Sequence, residues 1–264
     1  MEFGSKRWLG RRRRETLSKL VEKLRQTSKG AAQPIGFRGT AAAAQSGSPM
    51  VLVASLTLSR AETSPSLLDK ADAMLLKEAP GKNPTAFEGI PWGTFLKEGT
   101  TEEVDRLKEA GCDFVIFEPG LAPVVLLGEE GLGKIVQIDA SLSDGMVRAV
   151  ERLSIDGIYL KGDSHLSVHW LMFCQHVANL VRKPVMAGAP LSITREALGQ
   201  FQNTGLLGLV VELDRAGDKA LSRLRETISS LPWTRRGARE RYEPTIVQPV
   251  VGPGREEEET EEPD

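Results

Sequence analysis

The sequence predicts an α/β chain of the (β/α)₈ class, a TIM-barrel-like domain of irregular or incomplete build with an N-terminal helix extension, and three observations carry that prediction. From Met50 to about Leu231 one cycle recurs: a short apolar run, a polar or charged residue closing it, a turn and an amphipathic stretch. The apolar runs are continuous rather than alternating, as expected of strands covered on both faces of a parallel sheet. The chain has 264 residues, close to the roughly 250 typical of a single barrel of this kind.

In chain order, Leu17, Leu20, Val21 and Leu24 have helical spacing, and Thr27 to Ser48 is a loose connection rich in Gly, Ala, Ser and Gln. Pro34-Ile35-Gly36-Phe37 fits either an added strand or the first barrel strand, and Ala41 to Ala44 either a short helix or irregular chain. The strand runs are Val51–Ser55, Met74–Lys77, Phe114–Glu118, Ile135–Asp139, Ile158–Lys161, Pro184–Ala187 and Leu209–Glu212, with Trp92–Lys97 following a long turn from Pro80 to Pro91. Thr100 or Thr101 before Glu102 and Glu103 caps a helix that closes at Gly111, and Ser143-Asp144 opens another. Ser164 to Val181, a segment from Ile193 and Asp218 to Ile228 are the later helices. Gly120 to Gly133 is the least regular unit; a missing helix there or at Pro80–Pro91 leaves the outer wall bare or covered by a partner. The expected divisions are a basic helical arm at 1–30, the barrel at 31–231 and a Pro-rich, acidic, largely disordered tail at 232–264.

Composition narrows the functional classes. Net charge is −2 with 40% hydrophobic and 27% charged residues, which argues against nucleic acid as a main partner. The average conceals a basic start, with Lys6, Arg7 and Arg11 to Arg14, and an acidic end at Glu256 to Glu259. The arm alone is too short to serve as a membrane anchor. Cys112 and Cys174 lie far apart in apolar contexts, as core residues do. With no apolar run of membrane-spanning length and no apolar signal core, the expected location is cytoplasmic.

The segment Ile155-Asp156-Gly157-Ile158-Tyr159-Leu160, then Lys183-Pro184-Val185-Met186-Ala187-Gly188-Ala189, then Gly205-Leu206-Leu207-Gly208-Leu209-Val210-Val211 resembles strands six to eight of phosphate-binding (β/α)₈ barrels. The resemblance spans residues 155–212 and implies a phosphate held by glycine-rich loops after strands seven and eight. Gly188 fits the first of those loops, whereas the second reads Glu212-Leu213-Asp214-Arg215. Two carboxylates at that point repel a phosphate, so FMN and sugar phosphates are disfavoured.

The strand-closing charges Lys77, Lys97, Glu118, Asp139, Lys161 and Glu212 belong at the carboxyl edge, where barrel enzymes carry their sites. Glu118 and Asp139 close successive runs and are the candidate Mg²⁺ or Mn²⁺ ligands, or the general acid and base. Lys161 is the candidate for an imine or for stabilising an enolate, and Lys77, Lys97, Gly188 and Glu212 are candidate ligand-binding residues. A solvated ring of ion pairs is the competing reading of the same charges. His165, His169 and His176 share one helix; His165 and His169 with Asp163 form a weaker metal candidate. The expected function is a small-molecule enzyme, a lyase or aldolase acting on a carbonyl or carboxylate compound. The alternative is a non-catalytic binding or assembly scaffold, with homo-oligomerisation through the bare wall.

Overall fold

The computed structural model describes residues 18–29, 48–63, 65–81, 84, 87, 89–162, 166–213 and 218–232. The basic run at 6–14, Pro34–Phe37, Ala41–Ala44 and the acidic tail lie outside the described residues.

Eight parallel strands pair in sequence order and close on themselves: β1 (Val51–Leu56), β2 (Ala73–Leu76), β3 (Trp92–Phe95), β4 (Phe114–Phe117), β5 (Gly133–Ile138), β6 (Gly157–Leu160), β7 (Val185–Gly188) and β8 (Gly208–Glu212). Closure runs from Val51 opposite Gly208 to Ser55 opposite Glu212. The first strand is therefore Val51–Leu56, and the irregularity expected of the barrel lies in its outer wall rather than in a missing strand. Helices α1 (Lys19–Lys29), α2 (Leu58–Thr63), α3 (Thr101–Glu109), α4 (Asp144–Ala149), α5 (Val168–Leu180), α6 (Arg195–Asn203) and α7 (Asp218–Ser229) complete it. Among the described residues no α-helix joins β2 to β3, and a 3₁₀ turn at Val124–Gly128 takes the place of one between β4 and β5.

Strand register sorts the side chains into two cores. Leu52, Leu56, Met74, Val115, Val136, Ile158 and Val211 face outward against the helices. Val53, Leu75, Phe114, Ile116, Ile135, Tyr159, Met186 and Val210 face the barrel axis. Leu20 and Leu24 of α1 belong to that inner cluster, so the N-terminal helix plugs the amino end of the barrel. Small residues make room for it. A β-carbon on Gly133 would lie 2.7 Å from Ser18 Oγ, and one on Gly208 would lie 3.1 Å from Leu24.

An aspartate immediately before each of β2, β4 and β6 finishes this floor. Asp113 accepts from Ser18 Oγ (2.7 Å) and from the first helical N–H groups, Lys19 (2.8 Å) and Leu20 (3.0 Å), capping α1 from another part of the chain. Asp72 accepts from Leu52 N–H (2.9 Å) and from both arms of Arg225 on α7 (2.6 and 3.1 Å). Asp156 accepts from Lys134 N–H (3.0 Å) and lies 3.6 Å from Arg25 of α1.

Candidate active site

At the opposite end the barrel opens into a cavity of about 850 Å³, a size ordinary for a small-molecule site. All eight strands, or the residues just after them, contribute to its lining: Ser55, Lys77, Phe95 with Lys97, Glu118, Gln137, Tyr159 with Lys161, Gly188, and Val210 with Glu212. Register explains the set. Residues two apart on a strand share a face, so Tyr159 and Lys161, like Phe95 and Lys97, stand one above the other on the axis side. The cavity has an apolar floor of Phe95, Ile116, Tyr159 and Val210 beneath a charged rim. The Phe95 and Tyr159 rings meet across the barrel with centroids 6.2 Å apart.

Five of the six strand-closing charges gather on this rim: Lys77, Lys97, Glu118, Lys161 and Glu212. Glu212 Oε2 lies 3.5 Å from Lys77 Nζ, and Glu118 Oε1 accepts from Gln137 Nε2 at 3.0 Å. Lys97 and Lys161 take part in no ion pair among the described residues. The loop carrying Lys97 is held by Glu103 of α3, whose buried carboxylate accepts from the N–H groups of Lys97 (3.0 Å), Glu98 (2.8 Å) and Gly99 (2.9 Å). Gly99, at φ +64°, permits that turn.

Asp139 is the one strand-closing charge outside the cavity lining. Strand β5 ends at Ile138, the chain turns, and Asp139 caps the turn by accepting from Ser141 N–H (2.8 Å) and Ser141 Oγ (2.5 Å). The Ser141 hydroxyl, with its backbone N–H second, holds the Asp139 carboxyl below its ordinary range. Asp139 is not among the described residues that line the cavity. Among the described residues no group of three His, Cys, Asp or Glu side chains gathers around a point. His169 is exposed on α5, and His176 pairs with Asp144 of α4 at 2.7 Å. Asp163, His165, Asp214 and Arg215 lie outside the described residues.

Gly188 lines the cavity for a reason of packing. A β-carbon there would fall 2.6 Å from Gly162 N and 3.2 Å from Tyr159 Oη, so the ends of β6 and β7 approach through a pair of glycines. Tyr159 Oη sits behind that contact. Burial pushes its phenol up to about 12, the nearby Glu212 carboxylate adds to this, and the backbone N–H of Gly162 opposes both. Gln137, Phe95 and Tyr159 are among the lining residues that sequence reasoning passed over, and Ser55 was read only as the polar end of its run. Each sits inside a strand, where buried runs show no alternation to mark the axis side; counting back two residues from each strand-closing charge would have found Phe95 and Tyr159.

No family model matches this chain, and no curated protein matches it. Solved structures do. The E103A tryptophan synthase α-subunit from Pyrococcus furiosus superposes with a TM-score of 0.53 at 16% identity, covering 67% of this chain and 96% of that one. Thiamine phosphate pyrophosphorylase from Pyrococcus furiosus gives 0.51 at 15% identity over 68% and 95%. A 3-hexulose-6-phosphate synthase gives 0.51 at 15% identity over 68% and 100%. At such identities the likeness is one of fold.

Proposed function

We propose that the chain is a small-molecule enzyme of the lyase or aldolase type, acting on a carbonyl or carboxylate compound at the carboxyl-edge cavity. The observation that supports this reading best is the convergence of Lys77, Lys97, Glu118, Lys161 and Glu212 on one cavity over an apolar floor. A solvated ring of ion pairs would splay these charges outward. Enzymes whose names place them on small molecules, among them thiamine phosphate pyrophosphorylase and 3-hexulose-6-phosphate synthase, share the fold, which raises the prior without assigning a reaction.

In this reading Glu118, oriented by Gln137, removes a proton from the substrate, either from carbon next to the carbonyl or from the hydroxyl whose carbon–carbon bond then breaks. The electron pair moves to the carbonyl oxygen as an enolate, and the Lys161 ammonium stabilises that charge. Lys77 and Lys97 hold an anionic end of the substrate. Asp139 accepts from Ser141 through Oδ1, and no step here is routed through Mg²⁺ or Mn²⁺. A gain in Tm with either ion would favour a version in which Glu118 and Asp139 hold the metal.

The test is deuterium wash-in next to the carbonyl, followed by NMR over a panel of hydroxy and oxo acids and of aldoses and ketoses. Exchange or cleavage should disappear in Glu118→Gln and Lys161→Met. Borohydride reduction with mass analysis of the Lys161 peptide separates an imine from a simple ammonium. No exchange, cleavage or trapping across the panel would overturn the reading.

The scaffold reading keeps one observation of its own. Val124 (83% exposed), Val168 and Met172 with Val125 and Met146 lie bare on successive outer-wall segments between β4 and β7. Homo-oligomerisation through that wall predicts a concentration-dependent mass in light scattering that Val124→Glu and Met172→Glu abolish.

A further inference from the structure

We infer that Ser55 and Tyr159 form an oxygen-binding floor beneath the lysine rim, a subsite for the carbonyl oxygen of a small oxo acid whose carboxylate lies among Lys77, Lys97 and Lys161. The inference rests on the mouth being the ligand site and deepens the proposed function by naming a substrate class and two further residues.

The two hydroxyls differ from every other polar group of the cavity. Rim charges stand in solvent or in pairs, whereas Ser55 is 3% exposed and Tyr159 7% exposed, and both line the cavity from strands β1 and β6. The Ser55 carbonyl is used in the barrel, accepting from Leu213 N–H at 2.8 Å, but its hydroxyl has no partner among the described residues. A buried hydroxyl is ordinarily hydrogen-bonded; here the open side is the cavity. The Tyr159 oxygen is approached from behind by the Gly162 N–H and packed against Gly188. Among the described residues nothing accepts from its O–H, and Tyr159 lines the cavity, where that O–H can donate to a ligand. Burial, reinforced by Glu212, keeps the phenol protonated through the neutral range, so it acts as a donor there.

The surroundings select the ligand atom. Phe95, Ile116 and Val210 supply the rest of the floor, so among the described residues Lys161 meets the bound oxygen only from the rim above Tyr159, and no cation lines the floor itself to neutralise a carboxylate or phosphate oxygen. A neutral carbonyl oxygen suits two hydroxyl donors, and the negative charge that develops on it during enolate formation strengthens both hydrogen bonds. The anionic end of the same molecule then lies at the rim. There three ammonium groups face two carboxylates already engaged with Lys77 and Gln137.

Calorimetric titration of the full chain with pyruvate, oxaloacetate and 2-oxoglutarate, each against the acid lacking the oxo group (propionate, succinate, glutarate), tests this. At least one oxo acid should bind more tightly than its deoxy partner. Tyr159→Phe and Ser55→Ala should each weaken that oxo acid by about tenfold, the effect of one hydrogen bond to a polar ligand, and leave the deoxy acid unchanged. Lys161→Met should weaken both acids of the pair. Phe differs from Tyr by the hydroxyl alone, and an unaltered Tm confirms that each variant is folded. Oxo-acid binding that survives Tyr159→Phe and Ser55→Ala but falls with Lys161→Met would overturn the floor while leaving the enzyme reading intact. Wild-type protein that binds none of the six acids, yet exchanges deuterium into an aldose or ketose, would overturn the substrate class. Absence of both signals would overturn both readings.

Discussion

The two ends of the barrel are built on opposite principles. At the amino end every device closes the structure: glycines at Gly133 and Gly208 admit α1, Leu20 and Leu24 fill the axis, and Asp72, Asp113 and Asp156 satisfy backbone N–H groups and basic side chains. At the carboxyl end comparable charges are gathered and left partly unengaged around an open cavity, with two hydroxyls at its base. Polar groups placed for stability find their partners within the chain, whereas those placed for a ligand keep a side free.

The contrast predicts where substitutions act. The largest effect belongs to the floor: Leu24→Ala, in a fully buried side chain, should cost about 3 kcal/mol in denaturant unfolding. Asp113→Ala comes next. It strands the Ser18 hydroxyl and the first N–H groups of α1, and should cost about 2 kcal/mol with ligand binding at the mouth unchanged. A loss of ligand affinity equal to that of a rim variant would break the separation of the two ends.

Alkaline titration supplies an intermediate effect. Folding raises the Tyr159 phenol from 10.0 to about 12, so the folded state holds its proton more tightly. The stability this confers is complete below pH 10, is lost as pH rises through 12, and amounts to about 2 to 3 kcal/mol. The chain has only two tyrosines, so absorbance near 295 nm resolves the late ionisation, and Tyr159→Phe should remove it. A single ionisation near 10 for both tyrosines would show that the mouth is wetter than its packing indicates.

Rim substitutions come last in stability and first in function. Lys161 is exposed and in no ion pair among the described residues, so Lys161→Met should change unfolding by less than about 0.5 kcal/mol while abolishing deuterium exchange. The smallest expected effect is that of FMN or a sugar phosphate on Tm, near zero. Gly188 is packed against Gly162, and Glu212 faces the mouth. A yellow protein, or a Tm gain with a sugar phosphate that Gly188→Ala removes, would show that the phosphate position works after all.

The sequence by itself determined the strands, because runs such as Val51–Ser55 and Phe114–Phe117 are apolar throughout and only a strand covered on both faces needs that. It also determined which charges close them, and five of those six met at one cavity. Tertiary structure decided three things. It left Asp139 out of the cavity lining, with a serine two residues on engaging its carboxylate locally. It drew α1 into the barrel floor through Asp113, 93 to 95 residues away along the chain, a pairing that no periodicity announces. It brought Ser55 and Tyr159 to one floor, because the inward face of a strand buried on both sides is set by its register with its neighbours rather than by its own residues.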